Sequence, residues 1–508
     1  MKMLKLILVA PLCFAASVVS GVTFGCKQAC LELSNFDVSR STGNTALSSL
    51  WSNFQAEVEP ECRLVPRHNR DVAEILRVIR KFNCHFAVLG GGTSPFKGAS
   101  NADAGITIDM QSLRDLDVVD GENAHVVVGA GNLWAHVYAA LAPFNMSATG
   151  TRNSLTGVIG SILGGGILFF SEAHGWACDT VIEFELVLAN SSVILANEHQ
   201  NPEIFWALRG GGNNFGIVTR VSIEAFKNPP TWYTFQRFSP DHMDLVFNRL
   251  EAHTNSMPND VCQIAVTFQW HVPTDQFVVS ERMVAYELPE LPEILWRKDS
   301  QGKLEPVSVL QTVSYQRSIL AMAEKMDQMN PHGFFNLFGS LTVYNDSDLF
   351  TMLARVFMAE IEHIKTIEGL QVYIVYNPLT SKALSHMQKR GGNALGLESR
   401  DGPLTIININ LHWSKQNDND QMYVFMRNLI KGLRSTAVQK GLLHPYLFQN
   451  HAFEEENLFD GYGVVNVGRL RTLQKILDPD RVFQALQPGG FKLWADQVDD
   501  AQWDKSEL

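Results

Sequence analysis

The sequence has little cysteine, no long basic run and, after its first 20 residues, no apolar run long enough to cross a bilayer. Seven cysteines among 508 residues are too few for a scaffold built from disulfides. The absence of C-x-x-C pairs and of His/Cys clusters with zinc spacing predicts no metal site. Nucleic-acid binding is disfavoured because the formal net charge is −12 and nucleic-acid-binding surfaces are basic. We also expect no stable membrane anchor.

The first 20 residues predict a cleaved secretory signal peptide. A positively charged start precedes the apolar segment from Leu6 to Val19, which ends in small residues. The C-terminal Lys505-Ser506-Glu507-Leu508 is a weak variant of the endoplasmic-reticulum retrieval signal. We therefore expect a protein of the secretory pathway, either secreted or retained in the endoplasmic reticulum. Three N-x-S sequons agree with a secreted glycoprotein: Asn145, Asn190 and Asn345.

Cleavage of the signal would remove Cys13 and leave six cysteines. An oxidising compartment permits one or two disulfides among them. We expect Cys30 to pair with Cys84. The remaining cysteines are Cys26, Cys62, Cys178 and Cys262.

Glycine is concentrated in three triplets, each beside an apolar run. The first, Gly90-Gly91-Gly92, follows the predicted strand Phe86 to Leu89, and the others are Gly164-Gly165-Gly166 and Gly210-Gly211-Gly212. Glycine lets a ligand lie directly on the backbone, and successive N–H groups bind anions such as pyrophosphate. One triplet alone is more typical of a flexible loop. Three together predict a large phosphate-bearing cofactor lying across several loops, in a pattern unlike the single G-x-G-x-x-G of a Rossmann fold.

The hydrophobic pattern changes at Pro229-Pro230. Before it, short apolar runs alternate with helical stripes such as the one in Asp71 to Phe82. After it, longer segments alternate with period two and are separated by long helices, which predicts a mainly antiparallel sheet backed by helices. The predicted strands are Tyr233 to Phe238, Gln263 to Trp270, Phe277 to Tyr286, Leu341 to Tyr344, Gln371 to Tyr376 and Leu404 to Trp413, and the predicted helices are 240–255, 347–366 and 419–440.

The order of these motifs resembles the berberine bridge enzyme-like FAD-linked oxidoreductases of the vanillyl-alcohol oxidase superfamily, the oxygen-dependent FAD-linked oxidoreductase family. The resemblance covers most of the chain after the signal. The matching segments are Gly90 to Pro95, Gly105 to Asp109, Val128 to Gly131 with Trp134, Gly157 to Gly166, His174 to Asp179, Phe205 to Val218, Gly391 to Gly396 and Asp478 to Phe483.

This resemblance implies an α+β fold with two domains. A two-part FAD-binding domain of vanillyl-alcohol oxidase type would comprise residues 58–228, completed by 445–508. A substrate domain, residues 229–444, would lay its sheet over the flavin. By matched position, the cofactor-binding residues would be Gly90, Gly91, Gly92, Thr93, Ser94, Gly157, Val158, Gly160, Gly164, Gly165, Gly216, Ile217 and Val218.

Two positions depart from the family pattern. Members commonly tether FAD through a histidine after the glycine turn, where this chain has Thr93. Many also use a cysteine at a position that falls here on Asn153. Both tethers are missing, so the resemblance predicts non-covalent FAD. It also disfavours ordinary sugar oxidation, because the family's sugar oxidases commonly keep both tethers.

The implied reaction transfers a hydride from substrate to flavin N5, with O₂ as the acceptor. Asn410 and His412, together with Asn408, share one face of a predicted strand and could bind or deprotonate a hydroxyl. A solvent-facing side of an amphipathic strand would show the same pattern. Tyr462 is a further catalytic candidate, with core packing as its alternative. Glu398 is a weaker acid candidate, and His174 is expected to be structural.

Two functional hypotheses follow. The first is an FAD-dependent oxidoreductase acting on a small natural-product-like substrate in secondary metabolism. The second is a non-redox cyclase or pericyclase on the same scaffold, with the flavin structural or absent, which the loss of both tethers favours. The pattern identifies neither the substrate nor the oligomeric state.

Overall fold

The structure is a computed structural model that describes residues 25–35, 39–40, 50–228, 230–256, 262–286 and 309–494. The predicted signal peptide and Lys505 to Leu508 lie outside the described residues. The helices are α1 (25–32), α2 (Asn53–Ala56), α3 (Asn69–Lys81), α4 (Trp134–Leu141), α5 (Val158–Leu163), α6 (Ser171–His174), α7 (Pro202–Leu208), α8 (Met243–Ser256), α9 (Ile319–Asp327), α10 (Ser347–Ile361), α11 (Ser381–Ser385), α12 (Asn419–Gln439) and α13 (Val464–Leu477).

Nineteen strands lie in the described part of the chain, in four sheets. They are β1 (Ser39–Arg40), β2 (Cys62–Val65), β3 (Phe86–Leu89), β4 (Ile106–Asp109), β5 (Leu116–Val119), β6 (His125–Gly129), β7 (Met146–Ser147), β8 (Val181–Val187), β9 (Val193–Asn197), β10 (Ile217–Glu224), β11 (Phe226–Lys227), β12 (Thr231–Phe238), β13 (Cys262–His271), β14 (Gln276–Tyr286), β15 (Val309–Gln316), β16 (Phe335–Tyr344), β17 (Gln371–Leu379), β18 (Leu404–Trp413) and β19 (Leu443–His444).

The N-terminal half contains two small mixed α/β layers. One sheet has the order β1-β2-β4-β3, in which β2 and β3 both run parallel to β4. The other, β5-β6-β10-β8-β9, is antiparallel. Helix α3 buries Val72, Ile75 and Ile79, the apolar stripe seen in the sequence. These layers place the glycine turn after β3 at the carboxyl end of a strand.

The second half is organised around one eight-stranded antiparallel sheet, ordered β15-β12-β14-β13-β17-β18-β16-β19. Every predicted strand after residue 230 lies in it, and β18 has the predicted bounds Leu404–Trp413. Strand β15, which is almost wholly exposed, and helix α9 were not predicted from the sequence. The prediction of an α+β fold with a mainly antiparallel sheet backed by helices is confirmed.

The two faces of this sheet have different partners. On β18, Ile407, Ile409 and Leu411 belong to the apolar core shared with α8, α10 and α12. The alternate residues, Asn408 and Asn410, point the other way, since side chains alternate along a strand. They are buried, so the alternative of a solvent-facing strand side is wrong.

The disulfide prediction is also wrong in its pairing. Cys26 bonds Cys84, and Cys30 bonds Cys62. Residues 25–32 form a helix, in which positions four apart lie on the same side, one turn from each other. Cys26 therefore lies against the segment after α3, and Cys30 against the start of β2. The bridges tie α1 to the segment before β3 and to β2.

The apolar cores are two large clusters. The larger combines the N-terminal half with residues of the C-terminal segment, including Tyr446, Tyr462 and Phe483. The second lies between the eight-stranded sheet and its helices. The domain bounds given above stay a prediction. No helix in the described ranges is both long and apolar enough to span a membrane.

Candidate functional site

A cavity of about 440 Å³ lies between the glycine loops and the free face of the eight-stranded sheet. Three parts of the chain enclose it: the loops of the N-terminal half, the inward face of the sheet, and the C-terminal segment around Phe448 to His451. Most of the residues predicted to bind the cofactor line it. They are Gly90, Gly91, Gly92, Thr93, Ser94, Gly157, Gly160, Gly164, Gly216, Ile217 and Val218.

Two predicted cofactor residues do not line this cavity. Val158 is completely buried in the apolar core, one position before the lining residue Ile159. Gly165 has a φ of +117°, and a Cβ there would lie 2.8 Å from the Trp176 ring. Gly165 thus supports the turn, while its neighbours Gly164 and Gly166 line the cavity.

The first glycine turn packs against other backbone. A Cβ on Gly91 would lie 2.3 Å from the amide nitrogen of Gly157, and one on Gly157 would lie 2.5 Å from that of Gly91. The Trp51 amide donates to the Gly92 carbonyl at 3.0 Å. Only glycine permits this approach, because any side chain would force the two loops apart.

Gly160 differs from these positions. A Cβ built on it meets no protein atom within 4 Å, and the residue lines the cavity. Backbone close to open cavity space is what a dinucleotide needs, since its phosphates and rings approach main-chain atoms. The residues present therefore fit FAD, which would lie across Gly90 to Ser94 and Gly157 to Gly160.

The C-terminal segment closes the cavity on the side of the glycine loops. Asn450 donates to the Ser161 carbonyl at 3.2 Å and accepts from the Gly166 amide at 3.1 Å. Its side chain occupies the space beside Gly164, where a Cβ would lie 2.5 Å away. Asn450 belongs to the C-terminal segment and thereby holds the second glycine loop, which belongs to the N-terminal half.

The facing sheet contributes side chains. Tyr373 and Asn410 are directly paired across β17 and β18, as are Val375 and Asn408. Burial raises the pKa of Tyr373, an effect that the charge of Arg282 partly offsets, so its phenol stays protonated near neutral pH. The Tyr373 hydroxyl donates to Asn330 at 3.3 Å. Hydroxyl and amide groups on one face can orient a polar substrate.

Comparisons with known proteins agree with this geometry. Residues 60–197 match the model of the FAD binding domain family. The FAD-dependent monooxygenase tpcD of Cochliobolus heterostrophus is 31% identical over 474 residues, covering 89% of this chain and 88% of that protein. The chain belongs to the berberine bridge enzyme-like FAD-linked oxidoreductases.

Solved structures show the same fold for this oxidoreductase. Its similarity to 6-hydroxy-D-nicotine oxidase from Arthrobacter nicotinovorans has a TM-score of 0.74 at 18% identity, covering 89% of this chain and 97% of that one. For berberine bridge enzyme from Eschscholzia californica the TM-score is 0.71 at 17% identity, covering 94% and 100%. These similarities show the fold, in which the sheet-rich second half faces the glycine loops. FAD as the cofactor follows from the match to the FAD binding domain family.

Both tether positions of the oxidoreductase lie in the cavity lining, as Thr93 and Asn153. Neither side chain is one of the family's covalent anchors. Cys178 is a free cysteine; it is buried and does not line the cavity. Two histidines that the sequence did not single out, His332 and His451, do line it.

The three predicted catalytic residues occupy different places. Asn410 lines the cavity. His412 is fully buried one alternate position further along β18, behind Trp51, where its ring Nδ1 donates to the side-chain oxygen of Asn336. Burial lowers the pKa of His412 to about 4, so its imidazole is neutral at pH 7. Tyr462 is buried away from the lining, where its hydroxyl donates to the Gly210 carbonyl at 2.9 Å.

The other two candidates lie outside the cavity. Glu398 is half exposed and forms an ion pair with Arg400 at 2.9 Å. His174 stacks on Phe226 with ring centroids 3.7 Å apart. Burial, reinforced by the charge of Lys389, lowers the pKa of His174 to about 4, which fits a structural residue.

Sequence reasoning missed the charged lining residues Arg152 and Arg282. Arg282 lies on the inward face of β14, while Arg152 lies on the loop before α5. The alternation of β14 was visible, but nothing in the sequence indicated which of its faces would meet the flavin-binding loops.

Proposed function

We propose that this oxidoreductase is an FAD-dependent oxidase that removes a hydride from a small natural-product-like substrate in secondary metabolism, with O₂ as the final acceptor. The observation that carries the proposal is one cavity with glycine backbone on one side and a polar sheet face on the other. Bound FAD would supply the hydride acceptor. Relatives named FAD-dependent monooxygenases, such as tpcD, support redox chemistry of this class.

The protein's own part is to position the substrate. Asn408 and Asn410 present amides from β18, and Tyr373 presents a hydroxyl from β17. These groups would hold a substrate oxygen so that the adjacent C–H faces the flavin-binding loops. Of the predicted catalytic residues, Asn410 lines the cavity and would touch the substrate. We propose that His412 and Tyr462 act indirectly, His412 through Trp51 and Tyr462 through the loop at Gly210.

We propose that the flavin is held without a covalent bond, since Thr93 and Asn153 occupy the tether positions. The test is acid precipitation of the purified protein. We expect the yellow colour in the supernatant. Colour that stays in the pellet would contradict this proposal and would point to His332 or His451, the histidines of the lining.

The redox proposal is tested with candidate substrates under anaerobic conditions. We expect the flavin absorbance to bleach on mixing and to return when air is admitted, with H₂O₂ formed. Turnover under ¹⁸O₂ separates two outcomes, because an oxidase leaves the label in H₂O₂ and a monooxygenase transfers one atom to the product. The alternative, a non-redox cyclase, would convert its substrate into an isomer without any bleaching.

We also propose that the protein matures in the secretory pathway. The two disulfides support this, since such bonds persist in oxidising compartments. Asn145 and Asn190 are exposed sequon residues. A mass decrease on treatment with an endoglycosidase, and an N-terminus near residue 21, are the expected results. A protein that starts at Met1 and carries no glycan would refute the proposal.

A further inference from the structure

Two arginines line the cavity close enough for their charges to interact. Arg152 approaches from the flavin-binding loops and Arg282 from the sheet. Both are half-buried. Burial lowers the pKa of Arg152, and the charge of Arg282 lowers it further. Burial likewise lowers the pKa of Arg282. Two like charges sharing a confined site are unfavourable unless an anion is present between or beside them.

Neither guanidinium has an acidic partner among the described residues. Arg152 donates to the Asn377 side chain at 2.5 Å, and its Nε atom has no partner there. Arg282 contacts the Met326 sulfur at 3.1 Å and lies 5.9 Å from the Phe169 ring centroid. These neutral contacts orient the two side chains, and neither arginine forms an ion pair among the described residues.

One carboxylate, Asp327, lines the same cavity, but other groups occupy its oxygens. Ser154 donates its hydroxyl to one oxygen, and the Leu155 amide donates to the other at 3.3 Å. Asp327 ends α9 and so holds the loop that carries Arg152. The nearby His451 is neutral, because burial and the charge of Arg152 lower its pKa to about 3.

We propose that Arg152 and Arg282 together bind an acidic oxygen group of the substrate, a carboxylate, phenolate or enolate. The inference rests on the proposed function, because it assigns the substrate class of the same cavity. Guanidinium groups suit this role, since they remain charged and donate paired N–H groups to a planar oxygen anion. The oxidoreductase would thus select acidic substrates over neutral ones of the same shape.

The first test compares benzoate with benzamide, which has a similar shape and no charge. Flavin-loaded full-length protein is titrated with each compound by isothermal titration calorimetry at low salt. We expect benzoate to bind at least tenfold more tightly than benzamide. Equal affinities, or no binding of either compound, would overturn the proposal. Calorimetry needs no turnover. The binding result therefore remains valid even if the protein proves not to be an oxidase.

The second test uses Arg282→Met and Arg152→Met, which keep an unbranched apolar stem and remove the charge. Each variant should lose at least tenfold in benzoate affinity while benzamide binding changes less than twofold. Arg317→Met is the matched control, because Arg317 is exposed just after β15 and does not line the cavity. If a methionine variant does not fold, Arg282→Gln replaces it. Unchanged benzoate binding in the folded variants would refute the assignment.

Reduced flavin is itself an anion, so the arginines could serve the cofactor. The reduction potential of the bound flavin in both variants separates the two roles. A lowered potential with unchanged benzoate affinity would assign the pair to the flavin and overturn the proposal. Lost benzoate affinity supports the substrate role, whether or not the potential shifts.

Discussion

The two sides of the cavity are built by different means. The cofactor side is main chain: Gly91 and Gly157 approach each other so closely that neither tolerates a Cβ. The substrate side consists of side chains such as Tyr373, Asn410 and Arg282 on a hydrogen-bonded sheet. Backbone recognition requires particular residues at particular positions, whereas a sheet face accepts many side chains on an unchanged scaffold.

This contrast explains how one fold serves different substrates. We expect substitutions in the glycine loops to weaken cofactor binding. The alternate positions of β13, β14, β17 and β18 can vary, because the opposite face of each strand forms the core with α8, α10 and α12. Four variants test this division, in order of decreasing expected effect.

Gly91→Ala should be the most damaging change, because it should remove the bound flavin as well as lower the stability. The new methyl group would lie 2.3 Å from the Gly157 nitrogen, and neither backbone segment can move aside. We expect a loss of about 3 kcal/mol or more in the free energy of unfolding, with no flavin retained on purification. Thermal melting and the flavin-to-protein ratio measure both effects. The control is Gly468→Ala in α13, which meets no atom within 4 Å and should raise stability slightly. Normal flavin content in Gly91→Ala would contradict the claim that the cofactor side depends on main-chain contacts that tolerate no Cβ.

Removal of the Cys26–Cys84 disulfide tests the covalent support of the cofactor side. The bridge closes a sequence separation of 58 residues, so the Cys26→Ala/Cys84→Ala variant should lose roughly 4 kcal/mol on the chain-entropy model. Denaturant unfolding measures the change. Cys30→Ala/Cys62→Ala, with a separation of 32, should lose slightly less. Peptide mapping that finds Cys30 bonded to Cys84 would refute the pairing.

His412 should make the sheet side sensitive to acid. Its pKa falls from an ordinary 6.5 to about 4 in the native state because it is buried. Between these values the unfolded chain binds a proton that the native chain does not, so stability falls as the pH is lowered. We expect this difference in proton binding to lower the free energy of unfolding by about 2 kcal/mol between pH 7 and pH 5.

The measurement is denaturant unfolding at several pH values for wild type and His412→Gln. The variant should lose less stability on acidification than the wild type does. His199→Gln is the control, since the His199 side chain is 88% exposed, and its pH profile should match the wild type. Parallel profiles for His412→Gln and wild type would show that His412 titrates normally.

Gly160→Leu should have the smallest effect on the protein and still weaken the cofactor. No protein atom lies within 4 Å of its Cβ position, so the flavin-free protein should keep its melting temperature. The added side chain would enter the cavity and lower FAD affinity at least tenfold, or about 1.4 kcal/mol. Fluorescence titration of flavin-free protein measures this. Gly468→Leu makes the same change at an exposed helix position and should bind FAD normally. Unchanged affinity in Gly160→Leu would mean that FAD does not pass this residue.

The sequence was most informative where geometry demands a specific residue. The glycine triplets, the bounds of β18 and the apolar stripe of α3 could all be read from it. It was misleading where two arrangements share one pattern. The alternation of Asn408, Asn410 and His412 fits a solvated face as well as a buried one, and cysteines four residues apart on a helix can exchange partners.

The sequence by itself determined the family, the FAD-binding loops and the sheet-rich second half. Close backbone contacts require glycine, and half-buried strands require alternating apolar residues, so both can be recognised in the sequence. Only the tertiary structure decided which sheet face meets the loops, which cysteines pair and which charges share the cavity. Arg152 and Arg282 are 130 positions apart in the chain, and their proximity depends on the packing of the sheet against the glycine loops. Long-range packing of this kind has no local pattern in the sequence.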